Sequence, residues 1–298
     1  MDDRLIIKDF SQFNKLRGYK VLHPLANVVD LSKSKPIMNA QVHIDNYSIA
    51  LKESVCGDLK YGCNYYDYQE GTLVFMAPGQ VVSINNEIEN FHPKGWALFF
   101  HPDLIHGTSL GRNIKEYTFF SYSSNEALHI SEREKHIILE GIKKIEYELK
   151  QSIDKHSTKL IVSNIELLLN YCMRFYDRQF ITRSHVNKDI LVRFENLLDN
   201  YLKSDLTKTV GLPTVKYCAD QLYLSANYFG DLIKKETGKS AQEHIQLKLI
   251  EMAKERVFDT SKSISEIAFE LGFKHPQHFS RMFKNETGQT PNEYRSLN

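Results

Sequence analysis

A chain of 298 residues with 42% apolar content is long enough for two cores, and a formal charge of +1 excludes nucleic-acid binding driven by net charge alone. Cys56, Cys63, Cys172 and Cys218 form no CxxC pair and no zinc-ligand spacing, which argues against a disulfide scaffold and for reduced thiols. The start, MDDRLIIKDF, is acidic without a long apolar run, and nowhere do about 18 apolar residues follow one another. A soluble, cytoplasmic protein with no membrane partner is the expectation.

Residues 1–125 read as β structure. Tyr47 to Leu51, Thr72 to Met76, Trp96 to Phe100 and Tyr117 to Tyr122 are short runs of β-branched and aromatic residues between Gly, Pro and Asn clusters, the pattern of an antiparallel sandwich or barrel. The aromatic stretch from Tyr61 to Gly71 can line a small-molecule pocket, although sheet or loop packing explains it equally well. From 126 to 182 the pattern becomes helical. Ser131 with Glu134 reads as a capping box, followed by Ile138, Ile142, Ile145 and Leu149 at spacings of 4, 3 and 4. After a polar break, Leu160, Ile161, Leu167, Leu168, Tyr171 and Phe175 predict a second helix, completing a helical hairpin. Residues 183–189 have little apolar content and read as a linker. Ile190, Phe194, Leu197, Leu198 and Tyr201 open an all-α region over 190–298, with a polar loop from Lys203 to Pro213.

Within that region one unit occurs twice. The segment 215–237 and the segment 263–287 each predict a short helix, a tight turn and a second helix. Ala219 pairs with Ala268 and Leu222 with Leu271 at an offset of 49, whereas Phe229 pairs with Phe279, Ile233 with Phe283 and Gly238 with Gly288 at 50. Two copies are too few for a solenoid. Residues 242–258 carry Ile245, Leu249, Met252, Ala253 and Val257 on one face and predict a single helix of about 25 Å. That length allows two flanking helices to reach successive major grooves about 34 Å apart. In the second copy Ser263 and Glu266 make a capping box, Pro276 suits a first turn, and Gln277, Arg281 and Lys284 fall at i, i+4 and i+7, opposite the apolar stripe. Between Lys274 and Lys284 stand three Lys or Arg, two His and no acid, although 190–298 as a whole holds 15 basic against 14 acidic residues. Local placement of charge, and not net charge, carries the nucleic-acid reading.

SISEIAFELGF, QHFSRMFKNETG and the closing TPNEYR resemble the DNA-binding domain of the AraC/XylS family of bacterial transcription regulators, over roughly Ile190 to Ser296. The resemblance implies that Gln277 and Arg281 sit at base-reading positions and that Asn227, Gly230 and Asp231 are their counterparts in the first motif. There the chain departs from the family, since Gly and Asp stand where polar or basic readers are common, and Leu249 replaces an Arg usual in the linker helix. The second motif is therefore expected to carry more of the readout. Arg281 would pair with guanine, Gln277 with adenine and Lys284 with phosphate, while Lys274, His278, Asn227, Asp231 and Lys234 complete the expected DNA contacts.

EGTLVFMAPGQ and GWALFFHPDLIHG resemble the cupin-like sensor domain commonly joined to such a unit. The resemblance implies promoter DNA as partner, a small-molecule effector, RNA polymerase where the regulator activates, and a homodimer paired through the helical hairpin. The competing reading is a cupin-type enzyme or sensor whose helical repeat binds a protein. His43, Asp45, His92, His101 and His106 could in principle gather as metal ligands, but the two His at i and i+2 that such a site needs do not occur. Neither Cys56 nor Cys63 has a basic or His neighbour to activate it. No metal, cofactor or catalytic residue is expected.

Overall fold

The computed structural model describes residues 5–7, 10–33, 35, 40–43, 45–53, 71–84, 94–123 and 126–296. Cys56, Cys63, His92 and the aromatic stretch at 61–70 lie outside the described residues. The chain divides into two compact units, Met1–Thr182 and Arg183–Asn298.

The first unit holds strands β1 (Leu5–Ile7), β2 (Ala26–Asp30), β3 (Ala40–His43), β4 (Tyr47–Lys52), β5 (Thr72–Met76), β6 (Val81–Ile84), β7 (Gly95–Phe100) and β8 (Leu128–His129). Five form an antiparallel sheet in the order β2-β7-β4-β5-β8. The other three form a sheet ordered β1-β3-β6, in which β1 and β3 run parallel, a departure from the antiparallel expectation.

Alternation along β4, β5 and β7 sorts side chains between two faces of the larger sheet. Ile49, Leu51, Leu73 and Phe75 share one face with Leu98 and Phe100, all buried. Phe119, Phe120 and Tyr176 pack on this face, with ring centroids 4.4 to 6.0 Å from Phe75. The stretch Tyr117 to Tyr122, expected as a strand, is instead a 3₁₀ turn over Thr118–Ser121. A strand would aim Phe119 and Phe120 in opposite directions, whereas the turn buries both neighbours against one sheet face. Two short helices precede it, α2 (Pro102–Ile105), with His101 as N-cap, and α3 (Ser109–Asn113), while α1 (Phe10–Arg17) stands earlier in the chain.

Helices α4 (Glu132–Leu149) and α5 (Ser157–Thr182) make the hairpin. The Ser131–Glu134 capping box is present, and Ile138, Ile142, Ile145 and Leu149 are all buried. On α5 the buried stripe runs through Ile161, Ile165, Leu168, Leu169, Cys172 and Phe175, whereas Leu160 and Leu167 stay 46% and 50% exposed. The end of α5 ties the hairpin to the sheet edge. Gln179 accepts from the His129 N–H and donates to the Ala127 carbonyl, while Arg178 donates to the His129 carbonyl and to both oxygens of Glu134.

In the second unit, the expected linker at 183–189 is largely the first turns of α6 (Ser184–Lys203). Low apolar content marks an exposed helix as readily as a linker, and Asn187 inside it donates to Glu236 at 2.9 Å. Phe194, Leu198, Tyr201 and Leu202 form its buried side. The polar loop that follows contains the short helix α7 (Leu206–Thr209). No described helix is long and apolar enough to cross a membrane.

Ile142 is fully buried on the α4 stripe, so Ile142→Ala should lower stability by about 2–5 kcal/mol. Urea unfolding of the full chain checks it, and a loss below about 1 kcal/mol would contradict the packing described.

Candidate nucleic-acid interface

The duplication read in the sequence is a structural duplication. Helix α8 (Val215–Gln221) matches α11 (Ile264–Glu270), seven residues each, and α9 (Ala226–Thr237) matches α12 (Pro276–Thr287), twelve residues each. Between the motifs runs α10 (Ala241–Val257), 17 residues long, and α13 (Pro291–Ser296) closes the chain. Local chemistry repeats with the helices. Thr237 and Thr287 each donate to the carbonyl four residues back at 2.7 Å, and Gly238 and Gly288 each end the helix in the left-handed conformation. Next, Ser240 with Glu243 and Thr290 with Glu293 cap the following helices by the same reciprocal bonds.

One core holds each copy in place. Ile250, Ala253 and Val257 of α10 are buried with Ile267, Ala268, Leu271, Phe273, Phe279 and Phe283 of the second motif. In the first motif Phe229 meets Phe194 of α6 edge-to-face, with ring centroids 4.9 Å apart. The buried Ile245 and Leu249 stand on the N-terminal half of α10. Arg295 donates to the carbonyls of Val257, Asp259 and Lys262, fastening the turn between α10 and α11. Sequence reasoning missed this role, although the closing TPNEYR contains the residue.

The turns differ by one residue, four between α8 and α9 and five between α11 and α12. Gly272 has φ +95 and lies against the 207–211 segment, where an added Cβ would stand 2.9 Å from the Thr207 oxygen and the Gly211 carbonyl carbon. Tyr223, at the equivalent position 49 residues earlier, has φ +60 and an 82% exposed side chain. The same backbone bend is met by a residue without a Cβ where the site is crowded and by a strained one where it is open.

On α12 the expected reading residues Gln277, Arg281 and Lys284 are exposed, as are His278 and, just before the helix, Lys274. At 100° per residue the first three project within about 60° of one another. Phe279 and Phe283 occupy the opposite side at 0% exposure. On α9, Asn227, Asp231 and Lys234 repeat the i, i+4, i+7 spacing. Asn227 and Lys234 are exposed, but Asp231 is half-buried and already engaged within the protein. Lys248 of α10 is held by Asp199 at 2.9 Å and Glu251 at 3.6 Å, so it is occupied in ion pairs. Away from this surface, His101 and His106 stand at the two ends of α2, where His101 accepts from the Asp103 N–H.

The cysteines described are buried. Cys172 is pushed up by burial and Cys218 is pushed up, to about 11, by the same cause, so both are thiols near neutral pH.

Two linked helix-turn-helix motifs with outward polar faces define a class of DNA-binding fold. A family model described as a helix-turn-helix domain matches residues 218–296. The chain is 38% identical over 85 residues to the uncharacterized transcriptional regulatory protein YesN of Bacillus subtilis (strain 168), a match spanning 28% of this chain and 23% of that protein. It is also 23% identical over 229 residues to the uncharacterized HTH-type transcriptional regulator YijO of Escherichia coli (strain K12), spanning 76% of each. Among solved structures, the C-terminal domain of the two-component response regulator yesN from Fusobacterium nucleatum is 29% identical over 34% of this chain and 96% of that chain, with a TM-score of 0.30. The C-terminal unit therefore contains a helix-turn-helix domain, over residues 218–296. The chain spans about a quarter of the length of the first of these relatives.

Two outcomes follow from the caps and the turn. Gly272→Ala should cost about 2–4 kcal/mol through strain and backbone overlap, whereas Tyr223→Gly should be neutral or stabilising by up to about 1 kcal/mol; thermal unfolding of both variants checks the pair. Bonds from Ser240, Ser263 and Thr290 hold the carboxyls of Glu243, Glu266 and Glu293 below their ordinary value of 4.5. A depressed folded value contributes stability that is present above 4.5 and lost as pH falls through the lower folded values. Acid titration followed by circular dichroism should show this limb, and Glu266→Gln should shrink it.

Proposed function

We propose that the chain is a sequence-specific DNA-binding transcription regulator. The observation that carries this reading is a single helical unit present twice on one shared helix, α10, with each copy ending in an exposed polar helix face. Helices α9 and α12 are the reading helices, and α10, at about 25 Å, spaces them for successive major grooves. Arg281 reads guanine through O6 and N7, Gln277 reads adenine, and Lys284 and Lys274 hold phosphate, with His278 beside them. In the first motif Asn227 and Lys234 make the contacts. Asp231, engaged within the protein, contributes less, so the second motif dominates discrimination.

The first unit serves as the sensor. Its five-stranded antiparallel sheet supports a cupin-like reading, and the exposed Tyr147, Leu160, Leu167 and Ile181 on the hairpin support pairing with a second copy. A cytoplasmic homodimer that binds promoter DNA, and engages RNA polymerase where it activates, is the complete proposal.

Selection from random duplexes by the purified protein at several salt concentrations should enrich a site of two half-sites about one turn apart, with affinity falling as salt rises. Lack of enrichment would point to a protein partner for the repeat. Arg281→Ala should lower specific affinity by about 1–3 kcal/mol and relax preference at one base pair, whereas unchanged footprints would remove Arg281 from the readout. Asp231→Ala should leave affinity equal or higher; loss of discrimination at a single base would make it a reader.

A further inference from the structure

The duplication makes the start of α12 comparable, residue by residue, with the start of α9. At the offset of 50, His275 stands where Ser225 stands and His278 where Tyr228 stands. In the first motif both positions serve the scaffold. The Ser225 hydroxyl caps α9 by accepting from the Tyr228 N–H at 3.3 Å, and Tyr228 is 5% exposed. In the second motif neither position does so. His275 is the N-cap residue of α12, yet its side chain makes no capping bond, and both rings are exposed, with centroids 5.4 Å apart. Giving up a cap costs stability, and among the described residues no hydrogen bond from either imidazole offsets that loss.

Among the described residues neither ring is in an ion pair; the histidines with acidic partners, His101 and His136, belong to the first unit. His244, on α10, is tied to the Thr237 hydroxyl at 2.9 Å. The surroundings of the pair are cationic. Lys274, Arg281 and Lys284 are exposed on α12 or just before it, and the acid of that helix, Glu286, stands about two turns beyond His278. Helices α10, α11 and α13 pack against α12. Of their acids, Glu251 is paired with Lys248, Glu270 with Lys262, and Glu243, Glu266 and Glu293 with their own N-caps, while Glu255 is exposed on α10. Lys254, Arg256 and Arg295 are the other cations on these helices.

We propose that His275 and His278 form a proton-linked phosphate contact: on the duplex they take up protons, so the protein binds DNA more tightly as pH falls through the histidine range. Histidine is the side chain whose charge changes between about pH 5 and 8, and a phosphate beside it favours the charged form, in which both ring nitrogens donate. Linkage gives the sign. Rings more protonated in the complex than in the free protein add affinity that is fully present at low pH and is lost as pH rises through their value in the complex. The first motif, with Ser225 and Tyr228 in these places, has no such dependence. The inference rests on the reading of α12 as a DNA-contacting helix and names how that contact is regulated.

The test is the affinity of the full chain for a random-sequence duplex pool, and for duplexes enriched from it, at about pH 5.5 and about pH 8.0. The capping carboxylates of Glu243, Glu266 and Glu293, held below 4.5, stay ionised across this window, so these caps are the same at both ends. The unaltered chain should bind about tenfold more tightly at the lower pH, and its plot of log affinity against log salt should steepen by about 1 for each imidazolium on a phosphate. Combining His275→Ser with His278→Gln should remove both effects and keep the affinity seen at the higher pH. The melting temperature should stay equal or rise, since a serine there restores the cap seen at Ser225. A pH response or a steepening shared with the double variant, an equal loss of affinity at both pH values, or a large fall in the variant's melting temperature overturns the proposal. Absence of duplex binding at both pH values would remove the DNA reading of α12 and this inference with it, so the two failures are distinguishable.

Discussion

Everything proposed for the second unit depends on α10 being buried along both halves. Ile245 and Leu249 are covered in its first half, while Ile250, Ala253 and Val257 enter the core of the second motif. A lone helix of 17 residues is marginal in water, so tertiary packing and the Ser240–Glu243 cap keep it formed. A rigid α10 fixes the separation of α9 and α12, and that separation gives two short polar faces a joint geometry. Without it each motif would be a small hairpin with a few surface donors.

The two copies share scaffold and differ in surface. Caps, left-handed glycines, threonine back-bonds and buried core positions recur at an offset of 49 before the turn and 50 after it because they decide whether the unit folds. Outward positions are freer of that constraint: Asp231 stands in the first motif where Arg281 stands in the second, and Asn227 where Gln277 stands. The turn shows the same division. Gly272 is imposed by the backbone approach of residues 207–211, whereas Tyr223 meets the same bend in open space. The first unit divides in another way, one face of its larger sheet filled by packed rings and the other packed, beside Phe99, by Phe13 of α1.

Several expectations failed where one local signal fits two structures. Tyr117 to Tyr122 has strand composition, but consecutive burial of Phe119 and Phe120 needs a turn. The polar stretch at 183–189 reads as a linker by composition, yet a helix with most of its surface in solvent has the same composition. The helix expected through Leu160 and Leu167 is present, but those two are as apolar as Ile161 and Leu168, and only the direction in which α5 faces the rest of the unit leaves them exposed. In each case the deciding partner is remote in sequence.

The sequence by itself determined the two motifs of the second unit and the helix between them: their helix boundaries, caps, tight turns and duplicated core follow from signals within a few residues, which is why Ser263, Pro276 and Gly288 were legible. Tertiary structure alone decided that Asp231 and Lys248 are engaged, that Arg295 fastens the turn after α10, and that, among the described residues, the Arg17 Nε, Asn14 Oδ1 and Ser48 Oγ atoms are buried without a hydrogen-bond partner. Hydrogen bonding and desolvation depend on groups brought together from distant parts of the chain, and a sequence records which groups exist but not which of them meet.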